Sequence, residues 1–168
     1  MNQQEILKYL RMVNDELTHR NYKGEICLYG GAVMCLVFNA RPSTKDVDAI
    51  FEPAGVIKEI IGKIAADNNL TDDWLNDGVK GFVVDHPRKV FLELTNLTVY
   101  TADPEYLLAM KCLAARIDTA DNSDIRFLIK QLGLTSPEQV FSKLQKYYPK
   151  NQVKPATQYF IEELFESL

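Results

Sequence analysis

The chain has 168 residues, 46% of them apolar and 25% charged, which suffices for a packed hydrophobic core and excludes a disordered chain. A net charge of −4 and a pI near 5.2 exclude a binder that holds nucleic acid mainly by overall basic charge, but not an enzyme that touches nucleic acid locally. No apolar run reaches the roughly 18 residues of a membrane span, and the amino-terminal segment is amphipathic rather than a signal peptide, so the expectation is a cytoplasmic protein without membrane contact.

In chain order, Ile6, Leu10, Val13 and Leu17 recur at the spacing of one helical face, predicting a helix over 4–19 that "NYKG" closes. "EICLY" reads as a short strand, and "GGAVMCLVF" as a turn running straight into a buried helix. "NARPSTK" is a loop, and "DVDAIFE" alternates as a strand. Pro53 precedes a second amphipathic helix with Val56, Ile57, Ile60, Ile61 and Ile64 on its apolar side. "DNNLTDDWLNDGVKG" reads as loop or short helix, then "FVV", "KVFLEL" and "LTVYTA" as strands, with "TN" turning a hairpin between the last two. From Asp103 the chain is helical: Asp103–Pro104 is a cap followed by proline at the first helical position, and further helices run through "DIRFLIKQL", "TSPEQVFSKLQKYY" and "PATQYFIEELFESL".

This pattern predicts an α+β fold in one domain, 1–168, with a small mixed sheet flanked by helices. Residues 1–102 form the mixed core and 103–168 a helical part packed on it. Cys27, Cys35 and Cys112 lack metal-ligand spacing, sit among apolar neighbours and read as reduced, buried hydrophobes. With only His19 and His86, a histidine-based zinc site is not expected: His19 belongs to a helix end and His86 to a solvated turn.

The functional signal lies in "LYGGAVMCLVFNARPSTKDVDAIF". In the strand, Asp46, Asp48 and Ile50 share one face while Val47, Ala49 and Phe51 share the core face. The two carboxylates are about 7 Å apart along the strand and repel unless a cation lies between them. A hard divalent cation, Mg²⁺ or Mn²⁺, suits such a pair, whereas a bare D-x-D also occurs on ordinary solvated strands. Gly30–Gly31, between strand and helix, lets backbone approach a ligand closely, and the helix start offers free N–H groups to phosphate. Arg41 and Thr44 add donors in the loop before the carboxylates.

In order, this stretch resembles the signature of the nucleotidyltransferase superfamily with a polymerase-beta-like fold. A hydrophobic residue, here Tyr29, precedes Gly30–Gly31, and after fourteen intervening residues a strand carries Asp46–Val47–Asp48. The resemblance implies that Asp46 and Asp48 hold metal, that Gly30 and Gly31 with Arg41 and Thr44 hold the nucleotide's phosphates, and that a third carboxylate sits on a neighbouring strand. Glu93 in "VFLELT" best matches the third, with Asp77 and Asp85 as rivals. Lys111, set in the apolar run of "YLLAMKCLAAR", either reaches solvent or meets an anion. "LLAMK" and the aspartates after it are similar to the helical section of bacterial relatives of the AbiEii-type toxins, which implies that Lys111 and Asp124 complete the pocket, with Asp118 and Asp121 competing for the aspartate's role.

The implied activity is transfer of a nucleoside monophosphate from a nucleoside triphosphate to an acceptor, which the sequence leaves open among RNA, protein and small molecule. The alternative is an inactive nucleotidyltransferase-like binding module, or a toxin–antitoxin component with an antitoxin-like protein partner. Lys143, Lys146, Lys150 and Lys154 form a basic stretch that suits either an RNA acceptor or a solvated helix.

Overall fold

The computed structural model describes residues 1–114 and 120–166, and among them an α+β fold of seven α-helices and a five-stranded mixed sheet. The chain divides into two compact units, one of Met1–Val83 with Arg88–Ala102, the other of Val84–Pro87 with Asp103–Leu168.

The first unit is the α/β part. Helix α1 (Gln3–His19) starts at a capping box: the Asn2 side chain accepts from the Glu5 amide at 2.8 Å, and the Glu5 carboxylate accepts from the Asn2 amide at 3.1 Å. Its apolar stripe, Ile6, Leu10, Val13 and Leu17, is wholly buried. Strand β1 (Gly24–Tyr29) leads into α2 (Gly30–Leu36), and β2 (Val47–Glu52) into α3 (Ala54–Asn68). Strands β3 (Leu75–Asn76), β4 (Arg88–Glu93) and β5 (Leu97–Ala102) complete a sheet ordered β3-β2-β1-β5-β4. β1 runs antiparallel to β2 and parallel to β5, while β4 and β5 form the antiparallel hairpin expected from "TN", closed by Leu94 N–H donating to the Leu97 carbonyl at 2.8 Å.

One sheet face is core. Register pairs Ile26 with Phe51 and Leu28 with Ala49, placing these residues with Val47 on one side. A side chain at Gly24, on that same side, would meet Leu17 of α1 at 2.9 Å and Ile57 of α3 at 3.2 Å, so both helices cover this face. Asn14, a polar residue within α1's buried stripe, accepts from the Asn96 amide at 2.7 Å and so fixes the β4–β5 turn. Trp74 closes the other side of α3, donating from Nε1 to the Ile61 carbonyl at 3.1 Å.

Two expectations are corrected. "FVV" is not a strand: Phe82 and Val84 are exposed, and the Val84 amide donates to the Tyr106 hydroxyl at 3.1 Å rather than to a strand. Conversely, "WLND" contains β3, a two-residue strand, because Val47 N–H reaches the Trp74 carbonyl at 2.7 Å and begins a parallel pairing with β2.

The second unit is helical: α4 (Pro104–Ala114), α5 (Ala120–Gln131), α6 (Pro137–Gln145) and α7 (Pro155–Glu166). The caps at its helix starts are those expected, with Asp103 accepting from the Tyr106 amide at 2.9 Å and Ser136 from the Gln139 amide at 3.3 Å. His86 is half-buried rather than fully solvated. Its ring stacks on Tyr106 at 4.0 Å between centroids, and the Tyr106 hydroxyl bonds that of buried Tyr148 at 2.6 Å. All three cysteines are free and buried, and desolvation pushes the Cys112 thiol up to about 12.

Candidate active site

The glycine pair, the loop and the aspartates belong to the α/β unit. Strand β1 ends at Tyr29, in register with Asp48 on β2, so the turn after β1 lies beside the aspartate strand. Gly30 occupies the left-handed region at φ 61°, a conformation that glycine adopts without steric cost. A side chain there would come within 2.9 Å of Asp48 Oδ2. Gly31 is equally confined: a Cβ would stand 2.7 Å from Thr44 Oγ1 and 2.9 Å from Arg41 Nη1. Backbone thus approaches a carboxylate on one side and two donor side chains on the other.

The loop itself is fixed. Thr44 Oγ1 donates to the Asp46 carbonyl at 3.0 Å, and the Thr44 amide donates to the Met1 carbonyl at 2.9 Å. Strand β2 begins at Val47, leaving Asp46 as the last loop residue. Asp46, Asp48 and Ile50 are half-buried, whereas Val47 and Ala49 are fully buried and Phe51 nearly so, which is the alternation read from the sequence. Asp48 therefore stands on the side opposite α1 and α3, on a strand that cannot move without disturbing the core, while Asp46 immediately precedes that strand.

Glu93 stands elsewhere. It pairs with Thr98, which pairs with Glu25, which pairs with Glu52, so on its own face of the sheet it aligns with a position four residues beyond Asp48. That is about 13 Å along the strands and, three strands away, about 14 Å across them. Asp77 pairs with Lys58 at 3.5 Å, and Asp85 is exposed. Among the described residues no three His, Cys, Asp or Glu side chains cluster as a metal site.

In the helical unit, Lys111 Nζ lies 2.8 Å from Asp124 Oδ2, with side-chain exposures of 13% and 3%. The lysine thus meets an anion supplied by its own chain. Asp118 lies outside the described residues, as does the Asp121 side chain. Lys143 and Lys146 of the basic stretch converge on Glu105 at 2.7 and 3.2 Å, and the hydrogen bond from Lys143 does most to hold that carboxyl below the usual carboxylate range. The charge of these two lysines is thereby partly neutralised.

Residue types alone did not reveal two features: the Tyr106–His86–Tyr148 cluster, and Asn76 of β3 in register with Asp48. Both depend on pairing between distant segments.

The model of a family described as "Nucleotidyltransferase of unknown function (DUF6036)" matches residues 5–160. No curated protein and no solved structure matches the chain.

Proposed function

The chain belongs to this nucleotidyltransferase family, and on that premise we propose that it transfers a nucleoside monophosphate from a nucleoside triphosphate to an acceptor, using the glycine turn, the Arg41–Thr44 loop and the Asp46–Asp48 pair. The observation that supports this most is the confinement at Gly30–Gly31, where backbone without side chains touches Asp48 on one side and Arg41 and Thr44 on the other. A packing glycine would face apolar neighbours. These two face a carboxylate, a hydroxyl and a guanidinium, the donors and acceptors that a metal-bound triphosphate requires.

Asp46 and Asp48 fit Mg²⁺ or Mn²⁺, since two half-buried carboxylates supply hard oxygen ligands and leave positions for water and phosphate. When bound, such an ion neutralises charge on the phosphates and on the attacking and leaving oxygens. The protein's own part is positioning: Gly31 admits the phosphates, Arg41 contributes charge-assisted hydrogen bonds, and Thr44 holds the loop by its bond to Asp46. The role that the resemblance gives Lys111, a cation on the triphosphate, is part of the same proposal and is tested separately below.

A second reading, a binding module that has lost its chemistry, is favoured by Glu93, which stands too far from Asp48 to share an ion with it. One experiment separates the two. The protein is incubated with Mg²⁺, each α-labelled nucleoside triphosphate and total cell extract, and the label is followed into RNA, protein and small-molecule fractions. Label transfer that Asp46→Asn and Asp48→Asn abolish, with circular dichroism unchanged, supports the enzyme. Metal-dependent nucleotide binding without transfer supports the module, and transfer unaffected in both variants overturns the site.

A further inference from the structure

The α/β unit holds a cavity of about 810 Å³ at the far end of the sheet face that carries Asp48. Tyr22, Lys23, Ile50, Glu52, Lys80 and Thr98 line it, and its volume is in the range of small-ligand sites. Ile50 and Glu52 follow Asp48 at two-residue intervals along β2, and Thr98 is aligned with Glu52 through Glu25. Glu52 therefore stands about 13 Å along the strand from Asp48, with Ile50 midway.

The polar groups of the wall differ in whether they are already engaged. Glu25, directly opposite Glu52, receives Arg88 at 3.4 Å and the Tyr100 hydroxyl at 3.5 Å, and Asp77 receives Lys58 at 3.5 Å. Glu52, Lys23, Lys80 and Thr98 make no side-chain hydrogen bond or ion pair among the described residues. One unpaired acceptor, several unpaired donors, the apolar Ile50 and the Tyr22 ring complement a planar heterocycle whose edge carries a donor beside an acceptor.

On the premise of the nucleotide site proposed above, the direction of the nucleoside follows. The glycine turn stands beside Asp48, one strand across: Gly30 follows Tyr29, the register partner of Asp48, and a side chain on Gly30 would meet Asp48 Oδ2 at 2.9 Å. A triphosphate seated there crosses the strands. An acceptor attacking in line with the departing pyrophosphate approaches across them too. The nucleoside, attached to the same α-phosphate, is left the direction along β2, over Ile50 and into the cavity.

We propose that this cavity seats the nucleobase and that Glu52 selects a base bearing an exocyclic amine. Adenine, cytosine and guanine each present an amino group, which donates to a carboxylate, beside a ring nitrogen that accepts from Lys23 or Lys80. Uracil presents a carbonyl where cytosine has its amine, and a carboxylate repels it. Glu52 then sets which nucleotide is taken, acting on the base while the glycine turn acts on the phosphates.

The test is calorimetric titration of the full chain in Mg²⁺ with inorganic triphosphate and with nucleotides matched to isolate the amine. CTP is compared with UTP, and ATP and GTP with inosine triphosphate, a purine nucleotide without an exocyclic amine. In at least one pair the amino-bearing nucleotide is expected to bind about tenfold more tightly or better, as one charge-assisted hydrogen bond supplies. Glu52→Gln, at an exposed side chain, offers a donor as well as an acceptor. It is expected to bring that ratio below about threefold while affinity for inorganic triphosphate stays unchanged. Equal affinities within every pair, as when the cavity seats the acceptor instead, overturn the proposal and leave the phosphate site standing. So does a ratio that Glu52→Gln leaves in place, or an equal loss of affinity for inorganic triphosphate. A wild type that binds neither triphosphate nor any nucleotide overturns the proposed function, and the base pocket with it.

Discussion

Replacing Gly31 by alanine separates a phosphate cradle from a merely tight turn. Gly31 lies in the first turn of α2 with no positive φ, so alanine meets no backbone strain, and it gains about 0.5–1 kcal/mol of helix propensity. Against that, the new Cβ would sit 2.7 Å from Thr44 Oγ1 and 2.9 Å from Arg41 Nη1, inside any ordinary contact distance. Arg41 yields at the flexible end of its side chain. Thr44 yields only by loosening its 3.0 Å bond to the Asp46 carbonyl, at a cost of about 0.5–1.5 kcal/mol. The two sides nearly cancel, so metal-free stability is expected to change by less than about 1 kcal/mol.

Binding is not expected to cancel. If Arg41 and the bare backbone receive phosphate, a methyl group in their place displaces a charge-assisted contact of about 1.5–3 kcal/mol, a ten- to hundredfold loss of affinity. The assay pairs thermal unfolding without ligand with calorimetric titration of nucleoside triphosphate in Mg²⁺. Unchanged stability with weakened binding is the expected outcome. Affinity equal to wild type would refute the cradle, and a loss of several kcal/mol without ligand would show that Gly31 is there for packing.

Two further predictions concern the helical unit. Lys111→Met leaves the 3% exposed Asp124 carboxylate without its 2.8 Å partner and is expected to cost about 3–5 kcal/mol, measured by denaturant unfolding; Lys111→Met with Asp124→Leu should recover much of it. If the recovered double variant also binds nucleotide like wild type, Lys111 has no role on the triphosphate. Glu105→Gln is expected to destabilise at neutral pH. Because the Lys143 hydrogen bond depresses Glu105 in the folded state, that contribution is complete above the ordinary value of 4.5 and is lost as pH falls through the folded value. The gap in melting temperature between wild type and Glu105→Gln should therefore close on acidification to about pH 3, and a gap that widens would show the sign to be wrong.

Most elements were legible because each carries its own local instruction. The 3.6-residue stripe of α1, the alternation of β2 and the caps Asp103 and Ser136 depend only on neighbours within a turn or two. The glycine pair and the D-x-D were legible for the same reason. What the sequence could not convey was register. Whether "VFLELT" brings its glutamate beside Asp48 depends on two intervening strands and on an irregularity between Val90 and Leu92, none of them local to Glu93. "FVV" misled in the opposite way: its β-branched character promises a strand, but the Tyr106 hydroxyl from 22 residues away takes the Val84 amide.

Register also explains why the aspartate strand and the start of the chain depend on one another. Asp48 is fixed by β2, which is paired on both sides, by Tyr29 of β1 and by Asn76 of β3. Asp46 lies outside the strand and has no ladder, so its place follows from the loop that carries it. That loop is bridged at Ser43 to Asn2 and bonded at Thr44 to the Met1 carbonyl, and the Gln3 side chain donates to the Leu36 carbonyl at 3.2 Å at the end of α2. The capping box that starts α1 therefore also anchors the segment on which one of the two carboxylates rides. Of the pair, Asp48 is held by the sheet and Asp46 by the helix cap. Loosening the cap should move the Asp46 carboxylate and leave that of Asp48 in place.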